Sequence, residues 1–333
     1  MVSKFSKSLL VAAIAVSAFI ISPSASALPA NGDIYHDSSQ SYNLYTKTDT
    51  NNLTNPDVFY SDSQYSFSPN GKLIAYRTQK MTNNSLNNLQ DVVITNAAGT
   101  MRRVVAKDLA VDTVGGIQWS PDGTKVAYGV MTIPDWGGSP GYPYQIGYAN
   151  VDGSGAKIIP NFSIPNTKYF GGLTWINGSK IGVVTEIKEF CQVQLTGAKS
   201  CKQMPGFPDY FSQVQYLFPK VSPDGKKILF QRLSGWINDP DPQGPIWTWY
   251  DIWKFNIDGT GGYKLTTSPI IDSADDRDSQ LAYNMVWSPD GTKIAYAYGQ
   301  GNQNGLYVMD ASGANKRKYD VPYISSINAW RAR

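Results

Sequence analysis

Four aspartates, Asp272, Asp275, Asp276 and Asp278, crowd one short stretch, and seven large aromatics gather in two segments rich in Pro and Gly. The first segment holds Trp136, Tyr142 and Tyr144, and the second holds Trp236, Trp247, Trp249 and Tyr250. Hard oxygen ligands packed into a loop suit Ca²⁺. This spacing lacks the Gly at position six and the Glu at position twelve of an EF-hand, so the stretch reads first as a solvated acidic loop, with calcium as the alternative and no other cofactor expected. Trp and Tyr offer flat contact area with a polar tip at little entropic cost. They either anchor a ligand, such as a sugar ring or a peptide side chain, or pack on one another to order the two loops.

Covalent chemistry finds little support. His36 is the only histidine in 333 residues, so a Ser-His-Asp triad has one base available and a multi-histidine metal centre has none to spare. The chain contains no Gly-x-Ser-x-Gly elbow, no His-Glu-x-x-His and no phosphate-binding glycine loop. Carboxylate-pair hydrolysis stays open, because Asp and Glu are plentiful and sequence does not show which of them meet. Catalysis is not indicated.

The elements that must position these residues are set by a repeat. Trp287-Ser288-Pro289-Asp290-Gly291 runs into Ile294-Ala295-Tyr296, and Phe67-Ser68-Pro69-Asn70-Gly71, Trp119-Ser120-Pro121-Asp122-Gly123 and Val221-Ser222-Pro223-Asp224-Gly225 run into equivalent apolar stretches. Pro presets φ for a tight turn, Asp or Asn bonds to its own backbone, and Gly takes the left-handed position. Each copy is therefore a hairpin. Trp175-Ile176-Asn177-Gly178 is a degenerate copy, and Trp330 stands where a sixth would begin.

A second pattern supplies two outer strands per unit: Asp91 to Thr95, Gln145 to Val151, Asp251 to Asn256 and Gly305 to Met309, each before a Gly-containing turn. Near the N-terminus, Ile34-Tyr35-His36, Asn43 to Lys47 and Leu53-Thr54 read as second, third and fourth strands lacking a first. Ile327 to Trp330 reads as a first strand with nothing after it. The expected architecture is all-β: a six-bladed β-propeller, with one blade shared between the N- and C-terminal segments so that no sheet edge is left open.

These turns, with Leu53-Thr54-Asn55 leading to Phe67-Ser68-Pro69, resemble the TolB-like six-bladed propeller family and its relatives in dipeptidyl peptidase IV-type enzymes. The resemblance covers essentially all of residues 28–333. It leaves no room for the separate N-terminal domain of TolB, and no hydrolase domain follows. It implies the fold and says little about activity. In such blades the Ser-Pro-Asp-Gly turns lie on one face, and the long segments Met131 to Tyr144 and Ser234 to Tyr250 lie on the other, where a binding surface is expected.

Compartment and partners follow from the remaining features. Lys4 and Lys7, the apolar run Leu9 to Ile21 and then Ala25-Ser26-Ala27 have the order of a signal peptide spanning residues 1–27. No later stretch approaches the roughly 20 apolar residues of a membrane span. Without that segment the formal charge falls from +3 to +1, and the lack of Lys/Arg clusters argues against nucleic acid and anionic membranes as partners. Lys316-Arg317-Lys318 reads as a solvated hairpin turn. Cys191 and Cys201 flank a turn in one hairpin and are expected to form a disulfide in an exported, periplasmic or extracellular protein.

The functional expectation is an exported, monomeric binding module that recognises a protein or envelope component through its loop-rich face or central cavity. A glycan-binding or glycan-active propeller, whether lyase or hydrolase, is the alternative. A structural envelope protein is the third reading.

Overall fold

The computed structural model describes residues 31–36, 40–43, 48–51, 65–79, 90–96, 100–109, 116–131, 144–164, 170–185, 189–205, 216–238, 246–267, 281–299, 305–319, 321 and 327–332. Their regular structure is entirely β. The chain opens with β1 (Asn31–His36), β2 (Gln40–Asn43) and β3 (Thr48–Asn51), followed by β4 (Ser66–Phe67), β5 (Leu73–Gln79), β6 (Gln90–Asn96) and β7 (Arg102–Leu109). Next come β8 (Ile117–Trp119), β9 (Lys125–Met131), β10 (Tyr144–Asn150) and β11 (Lys157–Ile158), then β12 (Phe170–Asn177), β13 (Lys180–Thr185), β14 (Glu189–Gln194) and β15 (Lys199–Gln203). The last third holds β16 (Tyr216–Val221), β17 (Lys227–Asn238), β18 (Ile246–Asn256), β19 (Tyr263–Lys264), β20 (Leu281–Trp287), β21 (Lys293–Gly299), β22 (Gly305–Asp310), β23 (Arg317–Tyr319) and β24 (Ile327–Ala332).

The strands form antiparallel meanders arranged as a β-propeller. Three sheets run in chain order, β4 to β7, β8 to β11 and β12 to β15, and a fourth has the order β24-β1-β2-β3. The strands from β16 to β23 form one eight-stranded sheet. Among the described residues five sheets therefore stand where six blades were expected, and the cause is local: the parallel pairing of Tyr250 with Leu281 joins β18 to β20. The two ends of the chain meet in one sheet through Ile34↔Trp330 and Tyr35↔Ala329.

Several boundaries move. The third strand of the terminal sheet is Gln40–Asn43, with His36↔Gln40 and Ile34↔Tyr42 setting its register; of the expected strand 43–47, residues 44–47 lie outside the described residues. Its fourth strand is Thr48–Asn51; Leu53-Thr54 lies outside the described residues. The segment from Ser234 to Tyr250 is largely strand, not loop: β17 and β18 extend to Asn238↔Ile246, with Trp236↔Thr248 and Ile237↔Trp247 paired across. Aromatic and β-branched residues favour that extension. Lys316-Arg317-Lys318 runs into β23, an exposed outer strand, where charge discourages edge-to-edge pairing.

Each Ser-Pro-Asp-Gly turn contains the same hydrogen-bond circuit. Ser120 is fully buried; its hydroxyl donates to Asp122 Oδ1 at 2.6 Å and accepts from the Lys125 amide at 2.9 Å. The Gly123 amide donates to the Ser120 carbonyl at 2.8 Å, and the Ser120 amide to the Lys125 carbonyl at 2.9 Å. Ser222 with Asp224 and Lys227, Ser288 with Asp290 and Lys293, and Ser68 with Asn70 and Leu73 repeat it. Gly123 and Gly291 sit at φ of 69° and 70°, where a side chain is strained.

The core lies between sheets. Ala127 and Ile146 pack with Phe170, Leu173, Ile181 and Cys191 of the next unit, while Leu229 and Ile252 pack with Met285, Ile294 and Met309. Each fully buried Leu, Ile or Met among these contributes about 1.5–3 kcal/mol. Polar ties add direction at the outer turns: Arg103 Nη1 donates to the Val151 carbonyl at 2.9 Å, Gln192 Nε2 to that of Ile257 at 3.0 Å, and Lys254 Nζ to that of Ala311.

Candidate functional site

The inner strands β4, β8, β12, β16, β20 and β24 converge on a cavity of about 540 Å³. Residues at or near their C-terminal ends wall it: Phe67, Trp119, Trp175, Val221, Trp287 and Trp330, one from each first strand. The next layer outward belongs to the repeated turns, with Ser68, Ser222, Ser288, Pro69, Pro121, Pro223, Pro289 and Asp122. The cavity therefore opens on the turn face, opposite the face where the sequence directed attention. The same Ser-Pro-Asp-Gly unit that closes each hairpin also builds this rim.

The indoles are held in place by their nitrogens. Trp119 Nε1 donates to the Ser66 carbonyl at 2.8 Å, Trp175 Nε1 to that of Gln118 at 2.9 Å, and Trp287 Nε1 to that of Lys220 at 2.9 Å. In each case the acceptor immediately precedes the wall residue of the neighbouring unit. Where Val221 replaces Trp, the contact changes: its amide donates to Thr174 Oγ1 at 3.3 Å. The ring is thus both wall and inter-unit fastening.

The residues one place before the wall also line the cavity: Ser66, Gln118, Thr174, Lys220 and Val286. Among these, Lys220 alone is charged. It is half-buried by exposed area, yet what it faces is a protein-walled cavity, and burial pushes its ammonium down to about 8, from the usual 10.5. That cost is desolvation of the charged form, with no charged neighbour contributing. Asp122, on the rim, is the other charged residue lining the cavity. Burial pushes its carboxyl up, but hydrogen bonds from Ser120 and from the Thr124 amide and hydroxyl outweigh this and hold it below the ordinary range.

Of the aromatics singled out by sequence, Tyr144 and Tyr250 have described side chains, and neither lines the cavity. Tyr144, half-buried at the start of β10, packs on Phe170 with ring centroids 5.3 Å apart, and its backbone bridges to Ile164. Tyr250 is buried and lies at the junction of β18 with β20. Trp236, Trp247 and Trp249 sit in the paired arms of β17 and β18. Trp136, Tyr142, Asp272, Asp275, Asp276 and Asp278 lie outside the described residues, as do residues 1–27. Among the described residues no helix is long and apolar enough to cross a membrane.

Cys191 and Cys201 form a disulfide between directly opposed residues of β14 and β15. Their sulfurs and the Glu189 carboxylate lie within 4.8 Å of one another. Sulfurs joined to each other are not thiolates, so this group does not fit a metal.

No known family model matches the chain. Solved structures resemble it in fold. A TolB candidate from Agrobacterium tumefaciens aligns over 91% of both chains at 15% identity and a TM-score of 0.50. An oligogalacturonate lyase in complex with manganese aligns over 85% of this chain and 71% of its own at 12% identity, with a TM-score of 0.53. The oligogalacturonate lyase of Vibrio parahaemolyticus aligns over 87% and 78% at 13% identity, with a TM-score of 0.52. At such identities the likeness concerns the propeller fold alone.

Proposed function

We propose that the chain is an exported binding module, a monomeric propeller of six four-stranded blades that recognises a protein partner through the indole-walled cavity on its turn face. The six-blade count takes the eight-stranded sheet as two meanders, β16 to β19 and β20 to β23, touching at one residue pair. Export rests on the leader-like residues 1–27 and agrees with the disulfide.

One observation carries the reading: all six first strands send an apolar wall residue, four of them Trp, into one concave site. Preorganised aromatic walls are what recognition surfaces spend their binding energy on. A glycan-active site makes different demands. Sugar hydroxyls need partners, yet the hydroxyls of Ser68, Ser222 and Ser288 are engaged in their turns and three indole nitrogens are engaged with carbonyls. Unpaired hydroxyls in such a site would cost affinity.

A photo-activatable residue installed at Ser66, at the cavity, and separately at Lys157, on the exposed β11, tests the assignment in cells. One partner captured from Ser66 and not from Lys157 supports it. Equal capture from both positions, or adducts from Lys157 alone, would sink it. The acidic stretch Asp272, Asp275, Asp276 and Asp278 is kept as a calcium proposal, tested by whether calcium raises the unfolding temperature.

A further inference from the structure

The position preceding each wall residue repeats around the cavity, and four of its lining occupants, Ser66, Gln118, Thr174 and Val286, are neutral. Lys220 breaks that pattern. Among the described residues no hydrogen bond or ion pair is formed by its ammonium, and the one carboxylate lining the same cavity, Asp122, is committed to Ser120 and Thr124 within its own turn. A cation placed among indoles and prolines without a protein counter-ion carries a desolvation cost that an incoming anion offsets.

We infer that Lys220 receives a carboxylate of the partner, delivered on an otherwise apolar peptide group that fills the space between Trp119, Trp175, Trp287 and Trp330. This rests on the cavity being the recognition site. Thr174, on the adjacent inner strand β12, carries a polar side chain at this level and suits one of the carboxylate's remaining lone pairs. The scarcity of uncommitted donors elsewhere favours a ligand with one charged end and an apolar body over a uronic acid, whose several hydroxyls would lie against carbon. Charge-assisted hydrogen bonds in a partly dehydrated site are the strong ones, so the carboxylate sets specificity and the indoles supply contact area.

The charged groups bearing on pH dependence are Lys220 itself and Asp122 on the rim, the latter ionised throughout the neutral range. Anion binding favours protonated Lys220 and must therefore weaken as the pH rises past the point where the free ammonium deprotonates.

N-acetyl-L-phenylalanine and its neutral amide form a matched pair of probes, with trigalacturonate as a third arm, and binding is read by saturable quenching of tryptophan fluorescence in the mature chain. The expected result is at least tenfold tighter binding of the acid than of the amide at pH 7, a preference that disappears at pH 10. Lys220→Met, which removes a desolvated charge and keeps the stem's bulk, is expected to fold, to retain amide binding and to lose the preference. Equal binding of acid and amide overturns the role of Lys220 while leaving cavity recognition standing, since cross-linking from Ser66 tests that separately. Trigalacturonate binding more tightly than either phenylalanine probe overturns the peptide assignment. Quenching by none of the three overturns the inference outright.

Discussion

The Trp287 indole donates its N–H to the main-chain carbonyl of Lys220 at 2.9 Å, so the residue that walls the cavity from one unit also pins the backbone of the residue that charges it from the next. Wall and charge cannot move independently. The same relation, without the charge, holds between Trp119 and Ser66 and between Trp175 and Gln118.

Trp287→Phe keeps most of the apolar contact and removes the donor. A net hydrogen bond contributes about 1 kcal/mol, so urea denaturation should show a loss of that order. Trp119→Phe should behave alike, and the double variant should be additive because the two fastenings share no partner. A double variant no less stable than the parent would show the ties to be incidental.

Lys220 makes a signed prediction about alkaline pH. Its folded pKa of about 8 lies below the ordinary 10.5, so in that window the unfolded chain binds more protons and stability rises with pH. Below about 8 the full penalty is present. Lys220→Met should therefore raise the melting temperature at pH 7, with the advantage shrinking as the parent is taken towards pH 10.5. A constant difference across that range would contradict the assigned burial.

The turn circuits predict acid sensitivity. Hydrogen bonds hold the Asp122 and Asp224 carboxyls below 3.8 against the upward push of burial. Their contribution is fully present above 3.8 and is lost as the pH falls through their lower folded values. Asp122→Asn with Asp224→Asn should flatten the fall in stability below pH 4. Ser120→Ala should cost about 1–3 kcal/mol at neutral pH, because it strips the partner from the part-buried Lys125 amide and the donor from Asp122.

Reduction of Cys191–Cys201 should lower stability by about 2 kcal/mol, since the bridge closes a short loop. The fold should survive, because β14 and β15 are also held by five paired positions from Glu189↔Gln203 to Val193↔Lys199. Loss of cooperative unfolding on reduction would show that the bridge, rather than the ladder, sets this register.

How far these features could be read in advance depended on whether their cause was local. The Ser-Pro-Asp-Gly circuit uses atoms within six residues, so its four copies named the hairpins and the fold. The disulfide is legible from two cysteines flanking one hairpin turn in an export-type sequence, and the terminal pairing from the strands missing at each end, with Ile34-Tyr35-His36 the second strand of that sheet. The stretch Ser234 to Tyr250 was read as loop because Gly, Pro and Asp residues punctuate it, whereas cross-strand pairing out to Asn238↔Ile246 overrides that composition. Tyr144 and Tyr250 were selected for residue type, and their burial depends on neighbours far away in sequence. Lys220 has a signal in the sequence: aligning the residue before each wall position gives Ser66, Gln118, Thr174, Lys220, Val286 and Ala329, with a single cation among neutral residues. Only the three-dimensional ring makes that column meaningful.

The pairing of β24 with β1 has a consequence for assembly. Every other four-stranded meander can be completed from contiguous chain as it emerges, but β1 has no inner neighbour until the distant residues Ile327–Ala332 arrive. Until then β1 is an unsatisfied edge, β24's Trp330 is missing from the cavity wall and the ring is an open arc. The clasp is the longest-range strand pairing, so its closure should limit the folding rate, and the cavity wall is complete only once it has formed.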